Sequence, residues 1–253
     1  MPASWNFGTS HQLYVFKFSN PLKKHLPNAV TCLNLFSGCL ALCHIFAGDL
    51  ETGAYFVGLS AVFDFFDGLL ARALHVSSPI GKDLDSLADV VSFGVVPGAF
   101  MFDLLRQSGA GLPGWLPYAG FIITVFSALR LAKFNNDTRQ SDSFIGLPTP
   151  ACTLVVASLP LILANDRFAL SPFVLNPWVL LGLTLLLSGL LVAELPLFAL
   201  KFKTFRWQDN QVRFVFLLLS VGLLAWLWAA AIPLIILLYV LLSVVSPAKP
   251  AHT

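Results

Sequence analysis

Charged residues are scarce in this sequence of 253 residues: only 11% are Asp, Glu, Lys or Arg, where an average soluble domain has about 25%. Hydrophobic residues make up 57% of the chain, and the mean hydropathy is +0.80. This composition excludes an ordinary soluble globular domain, and it is too apolar for an intrinsically disordered chain. It therefore predicts an integral membrane protein.

A strong charge of either sign is also missing. The chain carries 15 basic and 13 acidic residues, for a formal net charge of +2, with no run of five like charges. This balance argues against nucleic acid as a partner. The four cysteines show no C-x-x-C spacing and lie inside apolar stretches, so they are expected to be small buried side chains rather than metal or redox groups.

Long apolar runs are abundant, and each run of about 20 residues is enough to cross a membrane as a helix. The sequence predicts eight spans, at 28–48, 52–75, 84–105, 115–133, 149–164, 172–200, 212–230 and 232–245. The last two are almost continuous, and we expect the turn between them near residues 231–233. The predicted fold is all-α, a polytopic membrane helical bundle of about eight transmembrane helices.

The basic residues predict the orientation of this bundle, because Lys and Arg concentrate in cytoplasmic loops. With a cytoplasmic N-terminus, all of the 15 basic residues except Arg106 and Arg167 fall on the cytoplasmic side. The predicted organisation is a cytoplasmic amphipathic segment at 1–26, a catalytic core at 27–150, C-terminal transmembrane helices of the same domain at 151–246 and a cytoplasmic tail at 247–253.

Two pairs of aspartates stand at the facing ends of the second and third predicted spans. Asp64 and Asp67 are three residues apart, and Asp85 and Asp89 are four apart, so each pair lies on one face of its helix. A short loop should make the two helices antiparallel neighbours. Since charges inside spanning helices are costly and usually functional, we expect the four carboxylates to converge on a site.

Four such carboxylates need a cation, because they repel one another in a medium that solvates charge poorly. Arg72 and Lys82 offer two positive charges, too few for four anions with Asp83 nearby, so a set of purely structural salt bridges is disfavoured. Oxygen ligands suit Mg²⁺ or Mn²⁺, and two such ions can orient a diphosphate for displacement at phosphorus. An ion site in a divalent-ion transporter is the alternative from another class.

These residues match the pattern D-x2-D-G-x2-A-R-x8-G-x3-D-x3-D, and the chain resembles the CDP-alcohol phosphatidyltransferase family that carries it. The fixed positions are Asp64, Asp67, Gly68, Ala71, Arg72, Gly81, Asp85 and Asp89. Segments 84–94, 129–135 and 144–150 resemble those of bacterial integral-membrane members that use serine. Ser86 and Val90 stand where members that make phosphatidylglycerophosphate have Pro and Lys.

The resemblance implies transfer of a phosphatidyl group from CDP-diacylglycerol to L-serine, giving phosphatidylserine and CMP. It implies that Asp64, Asp67, Asp85 and Asp89 ligate the metal ions and that Asp89 is also the general base, although spacing alone does not identify which carboxylate takes the proton. The residues that it assigns to CDP-diacylglycerol are Asn28, Thr31, Gly68, Arg72 and Ser78. It further implies a homodimer, surrounded by lipid in the bacterial inner (cytoplasmic) membrane, with the site facing the cytoplasm.

The identity of the acceptor alcohol, and the residues that bind it, leave more alternatives open. A serine acceptor carries a carboxylate, which the forked guanidinium of Arg130 and the amide of Asn135 are suited to bind. Arg130 can equally be an anchor at the membrane surface. Choline, glycerol 3-phosphate or inositol would use the same aspartates with a different acceptor pocket, and the role of Glu194 stays open.

Overall fold

The computed structural model describes residues 21–109, 113–136, 143–198 and 207–245. Its helices are α1 (Pro21–Phe46), α2 (Leu50–Leu74), α3 (Pro79–Val90), α4 (Val96–Gln107), α5 (Ile122–Asn136), α6 (Thr149–Asn165), α7 (Ser171–Val174), α8 (Pro177–Val192), α9 (Trp207–Leu227) and α10 (Ala231–Val245). A π-helical segment, Val91–Val95, joins α3 to α4, and 3₁₀ turns at Leu116–Phe121 and Trp228–Ala230 precede α5 and α10.

The predicted all-α membrane fold is confirmed. Five stretches are long and apolar enough to cross a membrane, namely His25–Phe46, Leu50–Leu74, Pro79–Gln107, Leu116–Asn136 and Asn210–Val244. Helices α6 and α8 are apolar but shorter. At 1.5 Å per residue their 17 and 16 residues extend about 25 Å, slightly less than a hydrocarbon core of about 30 Å.

The stretch formed by α3, the π segment and α4 is the centre of the bundle. Of its most apolar window 67% is buried inside the protein, compared with 33% or less for the other four stretches. Its largest fully buried side chains include Phe93, Phe100 and Met101. The outer helices expose many large apolar side chains, as a protein surrounded by lipid requires.

The prediction of four buried cysteines is correct only for Cys152; Cys32, Cys39 and Cys43 are exposed on α1. The reason is physical: inside a membrane the outer face of a helix contacts hydrocarbon, so an apolar position need not be buried by protein.

The start of the bundle differs from the prediction. Helix α1 begins at Pro21, inside the segment predicted as an amphipathic cytoplasmic region, and it continues through Pro27. Residues 1–20 of that segment lie outside the described residues.

At the other end of α1, Asp49 caps α2. Its carboxylate accepts a hydrogen bond from the backbone N–H of Thr52 at 3.1 Å and lies 3.2 Å from Nδ1 of His44. These contacts, with the Thr52 hydrogen bond first, lower the pKa of Asp49.

The predicted span at 172–200 is wrong after Val192, as far as the structure describes it. Helix α8 ends at Val192, Ala193 is extended (φ −62°, ψ 140°), and Pro196 begins a short strand. Proline lacks the N–H of a helical hydrogen bond and pushes the preceding residue towards extended conformations, so it favours the end of a helix. Strand β2 (Pro196–Phe198) pairs antiparallel with β1 (Ser143–Ile145), which leaves Glu194 exposed in the turn.

The turn between the last two helices falls earlier than predicted. It lies at Trp228–Ala230, where Trp228 adopts a left-handed φ of 51°, and not at residues 231–233, which form the first turn of α10. The rings of Phe216 and Tyr239, nearly equidistant from the turn, lie 5.8 Å apart. Helices α9 and α10 therefore form an antiparallel hairpin.

Candidate active site

The site lies where α2 ends and α3 begins. His75 ends α2 in a left-handed conformation (φ 53°), and Ser78 caps α3 by accepting a hydrogen bond from the backbone N–H of Gly81 at 3.0 Å. Pro79 occupies the first turn of α3, a position it favours because its missing N–H needs no partner there. Helix α1 packs along both α2 and α3, whereas α2 and α3 touch each other little. The prediction that they are close neighbours is therefore too simple: only their polar ends meet.

Three of the four predicted carboxylates come together at this meeting point. Oxygen atoms of Asp64, Asp67 and Asp85 all lie within 4.8 Å of one another. Two oxygens on opposite sides of one Mg²⁺ would be about 4.2 Å apart, since each ligand stands about 2.1 Å from the ion. The group thus needs only small side-chain movements to hold a divalent ion.

Asp67 supplies a second sign that the group is incomplete by itself. The residue is only 6% exposed, and within the described parts of the chain its Oδ2 atom has no hydrogen-bond partner. Burying a carboxylate oxygen without a partner is costly. A metal ion fits this donor set, because an all-carboxylate group is what hard divalent cations prefer.

Salt bridges do not neutralise the cluster. Among the residues that the structure describes, the ion pairs within 4.0 Å are His44–Asp49 and Arg106–Asp103. Arg72 folds back over Gly68, whose hypothetical Cβ would stand 3.4 Å from a guanidinium nitrogen. Lys82 donates from Nζ to the backbone oxygen of Asn135 at 3.3 Å. Neither cation of the purely structural interpretation forms an ion pair within 4.0 Å with the aspartates, although Arg72 is near enough to Asp67 to interact with it electrostatically.

Asp89 lies beside this three-carboxylate group and is not a member of it. Its carboxyl adjoins that of Asp64 and faces Arg130. The amide Nδ2 of Asn34 donates to its Oδ1 at 3.5 Å. Asp89 thus contacts groups from α1, α2 and α5, and its roles as metal ligand and base remain predictions.

The residues predicted to bind CDP-diacylglycerol form two groups around the carboxylates. Gly68 and Arg72 are adjacent on α2, while Asn28 and Ser78 flank Gly81, where a Cβ would come within 2.9 Å of Asn28 Oδ1 and 3.0 Å of Ser78 Oγ. A glycine is thus required for α1 and α3 to approach here.

Thr31 lies deeper than these residues. It is 4% exposed, its hydroxyl donates to the backbone oxygen of Pro27 at 3.1 Å, and it also contacts Asp67. It is therefore in contact with the carboxylate group, and its role in binding the nucleotide stays a prediction.

Arg130 is buried inside the protein, with 7% of its surface exposed. Its guanidinium lies over the ring of Phe134 at 5.6 Å and close to Asp89. Its Nε has no hydrogen-bond partner within the described ranges. This burial contradicts the alternative of an anchor at the membrane surface, since an anchor extends its charge towards lipid headgroups.

Asn135 connects α5 to α3. Its Nδ2 donates to Ser86 Oγ at 2.8 Å, and its backbone oxygen accepts the bond from Lys82. The Ser86 hydroxyl in turn donates to the backbone oxygen of Lys82 at 3.1 Å. Asn135, which was predicted to bind the acceptor, therefore uses its amide to join α5 to α3 next to Asp85.

Three buried polar residues around Asp89 were missed by the sequence reasoning. Asn34, Ser60 and Ser92 are each 0% exposed, and both serine hydroxyls donate to the Asn34 backbone oxygen. All three are uncharged and lie outside the aspartate pattern of the family. An uncharged amide in the middle of an apolar helix was the available signal, since polar groups inside membrane helices also seek specific partners.

Together the helices and the aspartate cluster define an integral membrane protein with a candidate divalent-metal site between its helix ends. The sequence pattern of the CDP-alcohol phosphatidyltransferases matches residues 24–190, so the chain belongs to this family. Members transfer phosphatidyl groups from CDP-alcohols, and the family is in general dependent on divalent metal.

Several similar proteins carry the name CDP-diacylglycerol–serine O-phosphatidyltransferase. The one from Helicobacter pylori (strain J99) is 33% identical over 205 residues, covering 79% of this chain and 82% of the relative. The one from Bacillus subtilis is 31% identical over 156 residues, covering 58% of this chain and 84% of the relative. The Saccharomyces cerevisiae protein is 34% identical over 157 residues, covering 56% and 55%.

Proposed function

We propose that this protein transfers the phosphatidyl group from CDP-diacylglycerol to L-serine, forming phosphatidylserine and releasing CMP. The observation that carries the proposal is the group of three carboxylates within 4.8 Å, with one buried oxygen lacking a partner, on the family's own sequence pattern. The names of the relatives favour serine as the acceptor over other alcohols.

In this proposal Asp64, Asp67 and Asp85 hold Mg²⁺ or Mn²⁺, and Asp89 completes a site for two ions. Ions bound there would neutralise the diphosphate and stabilise the departing CMP. The notch at Gly68 admits the phosphate oxygens close to α2, and the adjacent Arg72 binds them with its forked guanidinium.

The remaining nucleotide contacts come from the start of α1 and α3. We assign the CDP moiety to Asn28 and Ser78, which flank the close approach at Gly81. Thr31 contacts Asp67, and we assign it to the same moiety, as the family pattern implies. These side chains are polar and uncharged, so they suit the sugar and base rather than the diphosphate.

The chemical step is a displacement at the phosphorus that bears the diacylglycerol group. A bond forms from the serine hydroxyl oxygen to phosphorus, the bond from phosphorus to the CMP oxygen breaks, and the hydroxyl proton passes to Asp89. Arg130 binds the carboxylate of serine, because it is buried beside Asp89 with an unpartnered Nε. Asn135 fixes the neighbouring turn of α3 and so shapes the acceptor pocket.

We propose that the site opens to the cytoplasm in the inner membrane, because nearly all basic residues then lie on the cytoplasmic side. We also propose a homodimer, as the family resemblance implies. A reporter fused after residue 253 tests the orientation, since it must be active only in its cytoplasmic form. Chemical crosslinking in native membranes tests the dimer, and a monomer alone would contradict it.

The function itself is tested by CMP release from purified protein in detergent. CDP-diacylglycerol and Mn²⁺ or Mg²⁺ are supplied with serine, glycerol 3-phosphate, inositol or choline in separate reactions. Release that requires serine and stops with a chelator is the expected result. Release driven by another alcohol would be consistent with the metal site but would overturn the assignment of serine as the acceptor. No release with any alcohol, together with metal flux in proteoliposomes, would favour a divalent-ion transporter.

A further inference from the structure

A fully buried polar cluster lies behind Asp89, formed by Asn34 of α1, Ser60 of α2 and Ser92 of the π segment. The amide Nδ2 of Asn34 donates to Asp89 Oδ1 at 3.5 Å. The Ser60 hydroxyl makes a close contact with Asn34 Oδ1 and lies 3.0 Å from the Asn34 backbone oxygen. The Ser92 hydroxyl donates to the same backbone oxygen at 3.2 Å. Three helical elements therefore meet at one asparagine.

With Asp89 ionised, as its proposed role as a base requires, the contacts favour one orientation of the Asn34 amide. Its Oδ1 atom can only accept a hydrogen bond, and the Ser60 hydroxyl is the donor beside it. The reverse orientation would place Oδ1 against an oxygen of the ionised Asp89 carboxylate, two acceptors facing each other without a proton. Ser60 thereby aims the NH₂ group of Asn34 at Asp89.

Asn34 is also held against the irregular part of the central helix. The π segment begins two residues after Asp89, and such segments are frequent at functional sites. Gly38, one turn further along α1, lets this helix approach Ser92, since a Cβ there would lie 3.1 Å from the Ser92 Cβ. Asn34 therefore contacts the central helix on both sides of the change from α to π geometry.

We infer that Asn34 is a positioning residue that orients the Asp89 carboxylate for proton transfer from the acceptor, with Ser60 fixing its amide. The inference rests on the proposed function. An amide suits this task because it donates a hydrogen bond without adding positive charge that would compete with metal ions for the carboxylates. The 3.5 Å separation is long, as hydrogen bonds of catalytic groups are before substrate tightens them. With Oδ1 held, the other oxygen of Asp89 takes the hydroxyl proton.

The test compares serine-dependent CMP release by Asn34→Ala, Ser60→Ala and the double variant. Loss of a residue that orients a metal-site carboxylate typically costs about 10–100-fold in activity. Asn34→Ala should lower kcat by about this factor while the KM for CDP-diacylglycerol changes by less than about threefold. Ser60→Ala should lower kcat by a smaller factor, and the double variant should be no slower than Asn34→Ala, because Ser60 acts through Asn34.

The matched control is Asn176→Ala. Asn176 caps α8 by accepting from the Trp178 backbone N–H at 2.9 Å. Helix α6 has its N-terminal end near the site, where the Thr153 hydroxyl donates to the Phe93 backbone oxygen. Asn176 lies beyond the opposite, C-terminal end of α6, after the short helix α7. This variant loses an asparagine hydrogen bond far from Asp89 and should keep the wild-type kcat.

The outcomes separate the inference from the function on which it rests. If wild-type protein releases no CMP with serine, the proposed function fails first. If the wild type is active and folded Asn34→Ala or Ser60→Ala retains its kcat, the positioning role is overturned. It is also overturned if the KM for CDP-diacylglycerol rises by as large a factor as kcat falls, or if Asn176→Ala lowers kcat as much as Asn34→Ala does. Ser60→Ala keeps the test decisive if Asn34→Ala does not fold.

Discussion

Removing one charge from the aspartate group should make the metal-free protein more stable and less active. Asp85→Asn is the cleanest substitution, because within the described residues its carboxylate takes part in no hydrogen bond that the change would break. Asp85 lies with Asp64 and Asp67 in the group whose oxygens are within 4.8 Å. Asp83, exposed on the same helix and outside the group, provides the matched control.

The size of the effect follows from Coulomb's law. At 4.8 Å and an effective dielectric constant of about 20, each pair of unit charges repels by about 3.5 kcal/mol. Two such pairs involve Asp85, giving about 7 kcal/mol for fully ionised carboxylates that do not relax, of which relaxation, protonation and water leave about 1–3 kcal/mol. Because 1 kcal/mol shifts the Tm of a domain of this size by about 2–4 °C, the expected rise is about 2–12 °C.

The assay is thermal unfolding in detergent with EDTA and, separately, with Mn²⁺. In EDTA the Tm of Asp85→Asn should exceed that of the wild type, while Asp83→Asn should match it. Mn²⁺ should raise the Tm of the wild type and of Asp83→Asn more than that of Asp85→Asn, because the variant has lost a ligand. An unchanged or lower Tm for Asp85→Asn in EDTA, with an undiminished response to Mn²⁺, would refute the reasoning.

Four other predictions concern single residues. Asp89→Asn should nearly abolish turnover while retaining CDP-diacylglycerol binding, measured by thermal shift with the lipid nucleotide; a wild-type rate would remove Asp89 from the mechanism. Arg130→Ala should raise the KM for serine more than that for CDP-diacylglycerol, and Arg130→Lys should not restore it, because the fork is lost; equal effects on both substrates would indicate a structural role. Gly81→Ala should raise the KM for CDP-diacylglycerol several-fold in steady-state assays, because its Cβ would press on Asn28 Oδ1 at 2.9 Å; an unchanged KM would exclude that contact. Hydrogen bonding lowers the pKa of Asp49, so its cap stabilises α2 above the unfolded pKa and is lost as the pH falls through the lowered value; the Tm deficit of Asp49→Ala should therefore shrink on acidification, and a constant deficit would contradict the assignment.

The membrane class and the aspartate site could be predicted because both leave direct traces in the sequence. Apolar runs report spanning helices whatever their packing, and the spacing of Asp64 and Asp67 fixes a common helix face. The approach of Asp85 to these two residues was predicted from the short loop that joins their helices. These features depend on local chain geometry, so sequence alone reaches them.

Other features depend on packing between distant segments, which sequence does not report. The π segment at Val91–Val95 lies where Gly38 on α1 closely approaches Ser92, a contact between segments more than 50 residues apart. Arg130 is buried close to Asp89, which is 41 positions away in the chain, so neither its burial nor this neighbour can be read from the local sequence. The early end of α8 was visible in principle, because Pro196 disfavours a continuing helix, but hydropathy outweighed it in the prediction.

The most direct test of the central claim follows the hydroxyl oxygen of the acceptor. Purified protein is given CDP-diacylglycerol, Mn²⁺ and serine labelled with ¹⁸O in its side chain, and the lipid product and CMP are weighed by mass spectrometry. Attack by the serine hydroxyl on phosphorus predicts phosphatidylserine that retains the label and CMP without it. Labelled CMP, or CMP formed without any serine-containing lipid, would contradict the account.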